Sequence, residues 1–167
     1  GFNSIGIASA GGAGKVTAEW MVNGEVTEDV FKLDISRFEK FHSETKFITE
    51  RVTETLGNQY AMHWPYKQLK TSRDQKLFPY HDHLKNKGAC FGEVAGFERP
   101  MWYSLEGAKP EYKYSYGYQN WYESAEHETT KARKDVALFE LSPFAKFELT
   151  GLEAHSSLQY ICSNDIK

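Results

Sequence analysis

Apolar residues recur at helical spacing in the first third of this chain. Behind the small-residue opening SIGIASAGGAGKVTAEW (residues 4–20), Ala13, Val16, Trp20 and the neighbouring Met21 form one stripe, with Lys15 and Glu19 on the other side. Asn23-Gly24 ends that pattern where a left-handed cap belongs. Ser36-Arg37-Phe38-Glu39 has the spacing of a capping box, in which hydroxyl and carboxylate each satisfy an exposed amide. A second helix is predicted from about residue 43 to residue 56. Phe47, Ile48, Val52 and Leu56 share its apolar face, and Gly57-Asn58 closes it. Pro65 interrupts YAMHWPYKQ and holds Trp64 extended. FPYHDHLKNKG then reads as a short helix ending at Gly88.

From Cys90 the period shortens. CFGEVAGFERPMWY and YKYSYGYQNWY are strand-like, separated by the turn-rich SLEGAKPE. Tyr112, Tyr114, Tyr116 and Tyr118 alternate with Lys113, Ser115 and Gly117, which places the phenols on one side of a strand. A polar helix over residues 123–134 follows. VALFELSPFAKFELTG reads as two strands meeting at Ser142-Pro143, with Lys146 and Glu148 out and Phe147 and Leu149 in. Leu158 and Ile161 mark a last helix. The order is one helix, a helical middle and a mixed region, an α+β pattern without repeats or low-complexity tracts.

Composition narrows the function classes. The 167 residues are 40% hydrophobic and 15% aromatic, with a formal net charge of −3, so a dedicated nucleic-acid or polybasic membrane surface is not expected. No apolar run approaches the ~20 residues of a membrane span. Cys90 and Cys162 are far apart and make no metal motif; one disulfide stays open as an alternative to free thiols. The chain starts at Gly1 on a glycine-rich turn and stops at Asn164-Asp165-Ile166-Lys167 without a stop signal, so it reads as a piece of a longer protein.

The candidate chemistry is sparse. GGAGK is not a phosphate loop: Ser9 stands where the first glycine is needed, and Val16 follows the lysine in place of Ser or Thr. The spacing of Gly6, Gly11, Gly12 and Gly14 misses the dinucleotide fingerprint. Two readings remain: a glycine-lined helix–sheet contact, or a helix whose positive end faces a cofactor, with Gly6 for close backbone approach and Gly12 and Gly14 for tight packing. His81 and His83 lie two apart, on different sides of a helix, with no cysteine or carboxylate cluster, and no metal is expected. His127-Glu128 lacks a second zinc-ligand histidine. The tyrosine ladder packs a sheet or stacks on a ligand, and the missing basic patch favours packing. Spacing alone identifies no catalytic set.

Taken together, these residues resemble a known family over nearly the whole length. GFNSIGIASAGGAGKVTAEWMVNGE resembles the last segment of the flavin domain in FAD-dependent amine oxidoreductases of the sarcosine oxidase type. DISRFEKFHSETKFITERVTETLGNQYAMHWP, followed by GAC, resembles the central domain of dimethylglycine and sarcosine dehydrogenases. GEVAGFERPMWY, NWYE and VALFELSPFAKFELTG…SND resemble the start of their folate-binding domain, related to the glycine-cleavage aminomethyltransferase.

The resemblance implies an α+β fragment in three parts. These are the C-terminal loop and helix of an FAD-binding domain (residues 1–33), a mainly helical central segment (34–89), and the truncated start of an aminomethyltransferase-like folate-binding domain (90–167). It implies a parent enzyme that oxidatively demethylates a small amine, N,N-dimethylglycine or sarcosine, passing a hydride to FAD and the one-carbon unit to tetrahydrofolate. Oxygen and an electron-transfer flavoprotein are the alternative electron acceptors. In the family, the loop matching Phe2, Asn3, Ser4, Ile5, Gly6 and Ile7 contacts FAD near the isoalloxazine. Catalytic residues lie outside this stretch, so the chain alone is expected to bind FAD weakly or not at all and to catalyse nothing. Phe144, in LSPF, matches a position near folate that commonly holds methionine, and is not taken as a site. The implied location is the cytoplasm of a bacterium or the mitochondrial matrix of a eukaryote. A non-catalytic relative with a regulatory or scaffolding role is the first alternative, and a small stand-alone binding module the second.

Overall fold

The computed structural model describes residues 5–166. The chain divides into two compact units, Gly1–Glu50 and Arg51–Lys167, and the division falls inside a helix. The architecture mixes helices with one two-stranded sheet, in keeping with the α+β expectation.

In the N-terminal unit, helix α1 runs Gly6–Asn23 and ends on Gly24 at φ 79°, whose amide bonds the Trp20 carbonyl at 3.0 Å. Glycine adopts that left-handed geometry without a Cβ penalty, so the predicted cap is present. The predicted turn over the glycines is not. Gly11, Gly12 and Gly14 lie inside the helix, and a Cβ at any of them meets nothing within 4 Å. Among the described residues nothing packs against them. All four stripe residues lie on α1: Ala13 and Val16 are half-buried, whereas Trp20 is 50% and Met21 82% exposed, and α1 buries no residue.

Three short 3-10 turns lead on. The capping box sits three residues after its predicted place. Asp34, not Ser36, caps the turn Ile35–Arg37, accepting the Ser36 amide at 2.7 Å. The reciprocal pair is Glu39 with His42, whose Nδ1 accepts the Glu39 amide at 2.9 Å. Helix α2 spans Thr45–Gln59 and continues through Gly57-Asn58, because a helical glycine only costs about 1 kcal/mol and need not stop the ladder. Of its predicted apolar face, Phe47 is buried against Phe41 and His42, at ring separations of 5.2 Å. Ile48, Val52 and Leu56 are exposed.

The C-terminal unit is built on a hairpin. After α3 (His81–Asn86) and the left-handed Gly88 (φ 84°), strand β1 (Ala89–Val94) pairs antiparallel with β2 (Phe97–Tyr103). Ala95 and Gly96, both at positive φ, make the two-residue turn. The register slips between Cys90 and Phe91, leaving Met101 as an extra residue beside Pro100, which has no amide to give the ladder. Phe78, Ala89, Cys90 and Trp102 form the core, with Phe91 tilted over the buried His81 at 4.4 Å. Helix α4 (Tyr122–Lys134) is held to β2 by the Glu128 carboxylate, which accepts the Tyr103 amide at 2.7 Å.

Two predicted strand regions are not strands. The tyrosine ladder is irregular: Tyr112 and Tyr114 stack on each other at 5.6 Å, Tyr116 stacks on Trp64, and Tyr118 packs on Tyr122. Residues 136–150 stay open, with Phe147 94% and Leu149 51% exposed. An alternating pattern becomes a strand only when a neighbour supplies ladder hydrogen bonds, and no described residue does so here. Helix α5 (Ala154–Ile161) follows with no buried residue.

Candidate functional site

The start of α1 is the part of the expected flavin loop that the structure describes. Phe2, Asn3 and Ser4 lie outside the described residues; Ile5, Gly6 and Ile7 lie within them. Ile5 is the N-cap and offers no side-chain acceptor. Among the described residues the helical ladder begins with the Ser9 amide on the Ile5 carbonyl at 2.9 Å. The first turn carries no acidic side chain. The positive end of the helix dipole is thus uncompensated by its own side chains, between Ile5 at 50% and Ile7 at 99% exposure. A helix N-terminus flanked by Ile5 and Ile7 fits a flat, electron-rich ring edge.

A second concentration of polar groups surrounds the hairpin. Glu93 and Glu98 are directly opposed across β1 and β2. Arg51 reaches Glu93 through Nη1 (3.0 Å) and Nη2 (2.6 Å), and Nη2 also donates to the carbonyls of Thr71 and Ser72. Arg73 pairs with Glu98 through Nε (2.7 Å) and Nη2, and donates further to the Leu69 and Phe91 carbonyls. Burial acts to raise the Glu98 carboxyl, but hydrogen bonds from Arg73 and the Asp74 amide outweigh it and hold it below the usual range. Glu54 behaves alike: burial is outweighed by the hydroxyl and amide of Thr71 and the amide of Lys70. Arg51–Glu93 and Arg73–Glu98 are inward-facing ion pairs, a structural arrangement.

Burial pushes the Cys90 thiol up to about 11, so it is neutral and a poor nucleophile at ordinary pH. Both cysteines are free. Burial also raises the phenols of Tyr112, Tyr114 and Tyr103. The Tyr114 hydroxyl accepts the Gln68 amide at 2.7 Å. The indole N–H of Trp102 is buried, near the Tyr112 phenol but outside hydrogen-bond geometry. His81 Nδ1 lies 3.2 Å from the carboxylate of Asp82, and no cluster of metal-ligating side chains occurs among the described residues. Phe144 stands on an open surface, half exposed, with the Arg99 guanidinium 4.6 Å over its ring. For tetrahydrofolate, therefore, the described residues supply no closed site around Phe144.

Comparison with known proteins adds what geometry cannot. Residues 23–77 match the FAD dependent oxidoreductase central domain, and residues 80–167, more than half of the chain, match the GCVT N-terminal domain. The chain belongs to the FAD-dependent dimethylglycine/sarcosine dehydrogenase family. Within that family it is 45% identical over 166 residues to a 4-methylaminobutanoate oxidase (formaldehyde-forming) of Paenarthrobacter nicotinovorans. It is 37% identical over 176 residues to the mitochondrial pyruvate dehydrogenase phosphatase regulatory subunit of Mus musculus, and 29% over 193 residues to the mitochondrial sarcosine dehydrogenase of Homo sapiens. Each comparison covers 99% of this chain but only 20–21% of the relative, so the chain spans about one fifth of their length. No helix of the described residues is long and apolar enough to cross a membrane.

The Arg51–Glu93 and Arg73–Glu98 pairs were not legible in the sequence. The only signal is indirect: Glu93 and Glu98 flank Ala95-Gly96 symmetrically, as opposed positions of a two-residue hairpin do.

Proposed function

We propose that this chain is the end of the flavin domain, the central segment and the beginning of the folate-type domain (residues 1–33, 34–89 and 90–167) of an oxidoreductase that demethylates an N-methylated amino acid. The observation that carries the reading is the succession of the two family-model matches along one chain, supported by identity to an oxidase and a dehydrogenase of N-methylated substrates. Dimethylglycine and sarcosine are the first candidate substrates. The 45% identity to a 4-methylaminobutanoate oxidase supports adding that longer methylamino acid to the set.

In this reading Phe2, Asn3, Ser4, Ile5, Gly6 and Ile7 form the loop beside the flavin. FAD, when bound, supplies the hydride acceptor. The chain's own contribution is electrostatic: the positive end of α1 faces an electron-rich ring edge. A helix terminus stabilises such charge by roughly 0.3–2 kcal/mol. Ile5 and Ile7 exclude water beside it. Transfer of the one-carbon unit to tetrahydrofolate, an electron-transfer flavoprotein as partner, and a bacterial cytoplasmic or mitochondrial matrix location rest on the family match.

The 37% identity to a phosphatase regulatory subunit favours one other reading, a regulatory relative of the same architecture. One experiment separates them. The full-length protein containing this chain is purified and its flavin absorbance followed under anaerobic addition of dimethylglycine, sarcosine or 4-methylaminobutanoate. Bleaching by one of these supports the enzyme, with less free formaldehyde when tetrahydrofolate is present. A protein that no amine bleaches is the regulatory relative.

A further inference from the structure

The two family models meet between residues 77 and 80, yet the compact units divide at Glu50/Arg51. The residues between, 51–77, therefore match one domain and pack with the other. The hydrogen bonds explain how. Four amides of this segment are donated into the C-terminal unit or its own brace: Lys70 and Thr71 to Glu54, Asp74 to Glu98 at 2.9 Å, and Lys76 to the Gly96 carbonyl at 3.1 Å. In return the hairpin donates two amides to the segment, Glu93 to the Gln68 side chain at 3.0 Å and Glu98 to the Lys76 carbonyl at 3.0 Å. Lys76 thereby adds a parallel bridge to the edge of β2 at Phe97.

The charges make this attachment hard to undo in part. Glu93 and Glu98 are opposed across the hairpin, where like charges repel. Their neutralising guanidiniums both come from the 51–77 segment, and the Glu98 side chain is only 2% exposed. Lifting the segment away would leave two facing carboxylates, one of them buried without a counter-charge, and would free Arg73 from the Phe91 carbonyl. Ser72 and Asp74 hold positive φ between these contacts, a backbone geometry that persists only where its surroundings impose it.

We infer that Arg51 and Arg73 form a double clasp that makes residues 51–77 part of the folding unit of the GCVT-type domain, so that segment and hairpin open as one event. The joint between the two family-model segments is on this account locked. The inference goes beyond the proposed activity and stands whether or not the protein is an enzyme.

The test is native-state hydrogen exchange on the full-length protein. Amides of Lys70, Thr71, Asp74 and Lys76 are compared with those of Glu93 and Glu98 as denaturant is raised. The clasp requires both sets to converge on one opening rate in the unmodified protein, and Arg73→Met to accelerate both by tenfold or more together. Arg73→Lys keeps the charge and loses the fork, and is expected to fall between. Loop amides exchanging tenfold faster than hairpin amides in the unmodified protein would overturn the inference, as would a variant effect confined to the loop. Should Arg73→Met fail to fold, the unmodified comparison decides alone.

Discussion

Glu93 and Glu98 face each other across the hairpin as directly opposed residues, and each has its own arginine, Arg51 and Arg73. The arrangement turns a repulsive cross-strand pair into the attachment of a whole segment. Its energetics are asymmetric, because a buried carboxylate without its partner costs more than the pair contributes.

Arg73→Met is therefore expected to destabilise the protein by about 3 kcal/mol, at the low end for buried pairs because Arg73 keeps 23% exposure. Adding Glu98→Leu to that variant recovers most of the loss, and not all, since the Asp74 amide then lacks its acceptor. Urea denaturation of the two single variants and the double variant closes the cycle. A double variant as unstable as Arg73→Met would show that the charge is not the cause.

The same carboxylates set the acid limit. Glu98 and Glu54 are held below the ordinary 4.5 in the folded protein. A depressed folded value contributes stability that is complete above 4.5 and is lost as pH falls through the folded values. The denaturation midpoint is expected to be level above about pH 5 and to fall steeply below about pH 4.5. Glu98→Gln lowers the plateau and makes the acid slope shallower.

Cys90 and Cys162 should differ in reactivity. Cys90 is 3% exposed with its thiol raised to about 11, while Cys162 is exposed. At pH 8 a chromogenic disulfide reagent is expected to titrate Cys162 within minutes and Cys90 only after denaturant is added. A Cys162→Ser variant that still reacts rapidly at Cys90 would contradict the burial.

The hairpin turn leaves room for improvement. Ala95 holds φ 51°, and asparagine adopts that region at lower cost. Ala95→Asn is expected to raise stability by about 0.5–1 kcal/mol, read as a higher melting temperature with an unchanged denaturant slope.

For the flavin loop the readout is cofactor content. In the full-length protein, Gly6→Val brings a branched side chain to the first residue of α1, where the proposed reading puts backbone against the ring. Flavin content per polypeptide is expected to fall by roughly half or more. Full flavin occupancy in a folded Gly6→Val protein would move the loop away from the cofactor.

Local signals read well where a local cause suffices. The Gly24 cap, the short helix before Gly88 and the polar helix over residues 123–134 all formed within a residue or two of expectation. The misses share a cause too. Gly11, Gly12 and Gly14 suggested a turn, but helix propagation through three glycines is affordable when the ladder on both sides continues. Residues 136–150 and the tyrosines 112–118 alternate like strands, and alternation states which face would be buried without supplying the neighbour that buries it.

The family, the order of its domain segments and the helix that opens the chain were determined by residues adjacent in sequence, since caps, periods and motif strings are short-range. What only the tertiary structure decided is which distant groups meet: Arg51 with Glu93, Arg73 with Glu98, and Lys76 with the hairpin edge. Each such contact joins residues separated by twenty or more positions, and its energy depends on burial and on the exact approach of charges, quantities that no local pattern encodes.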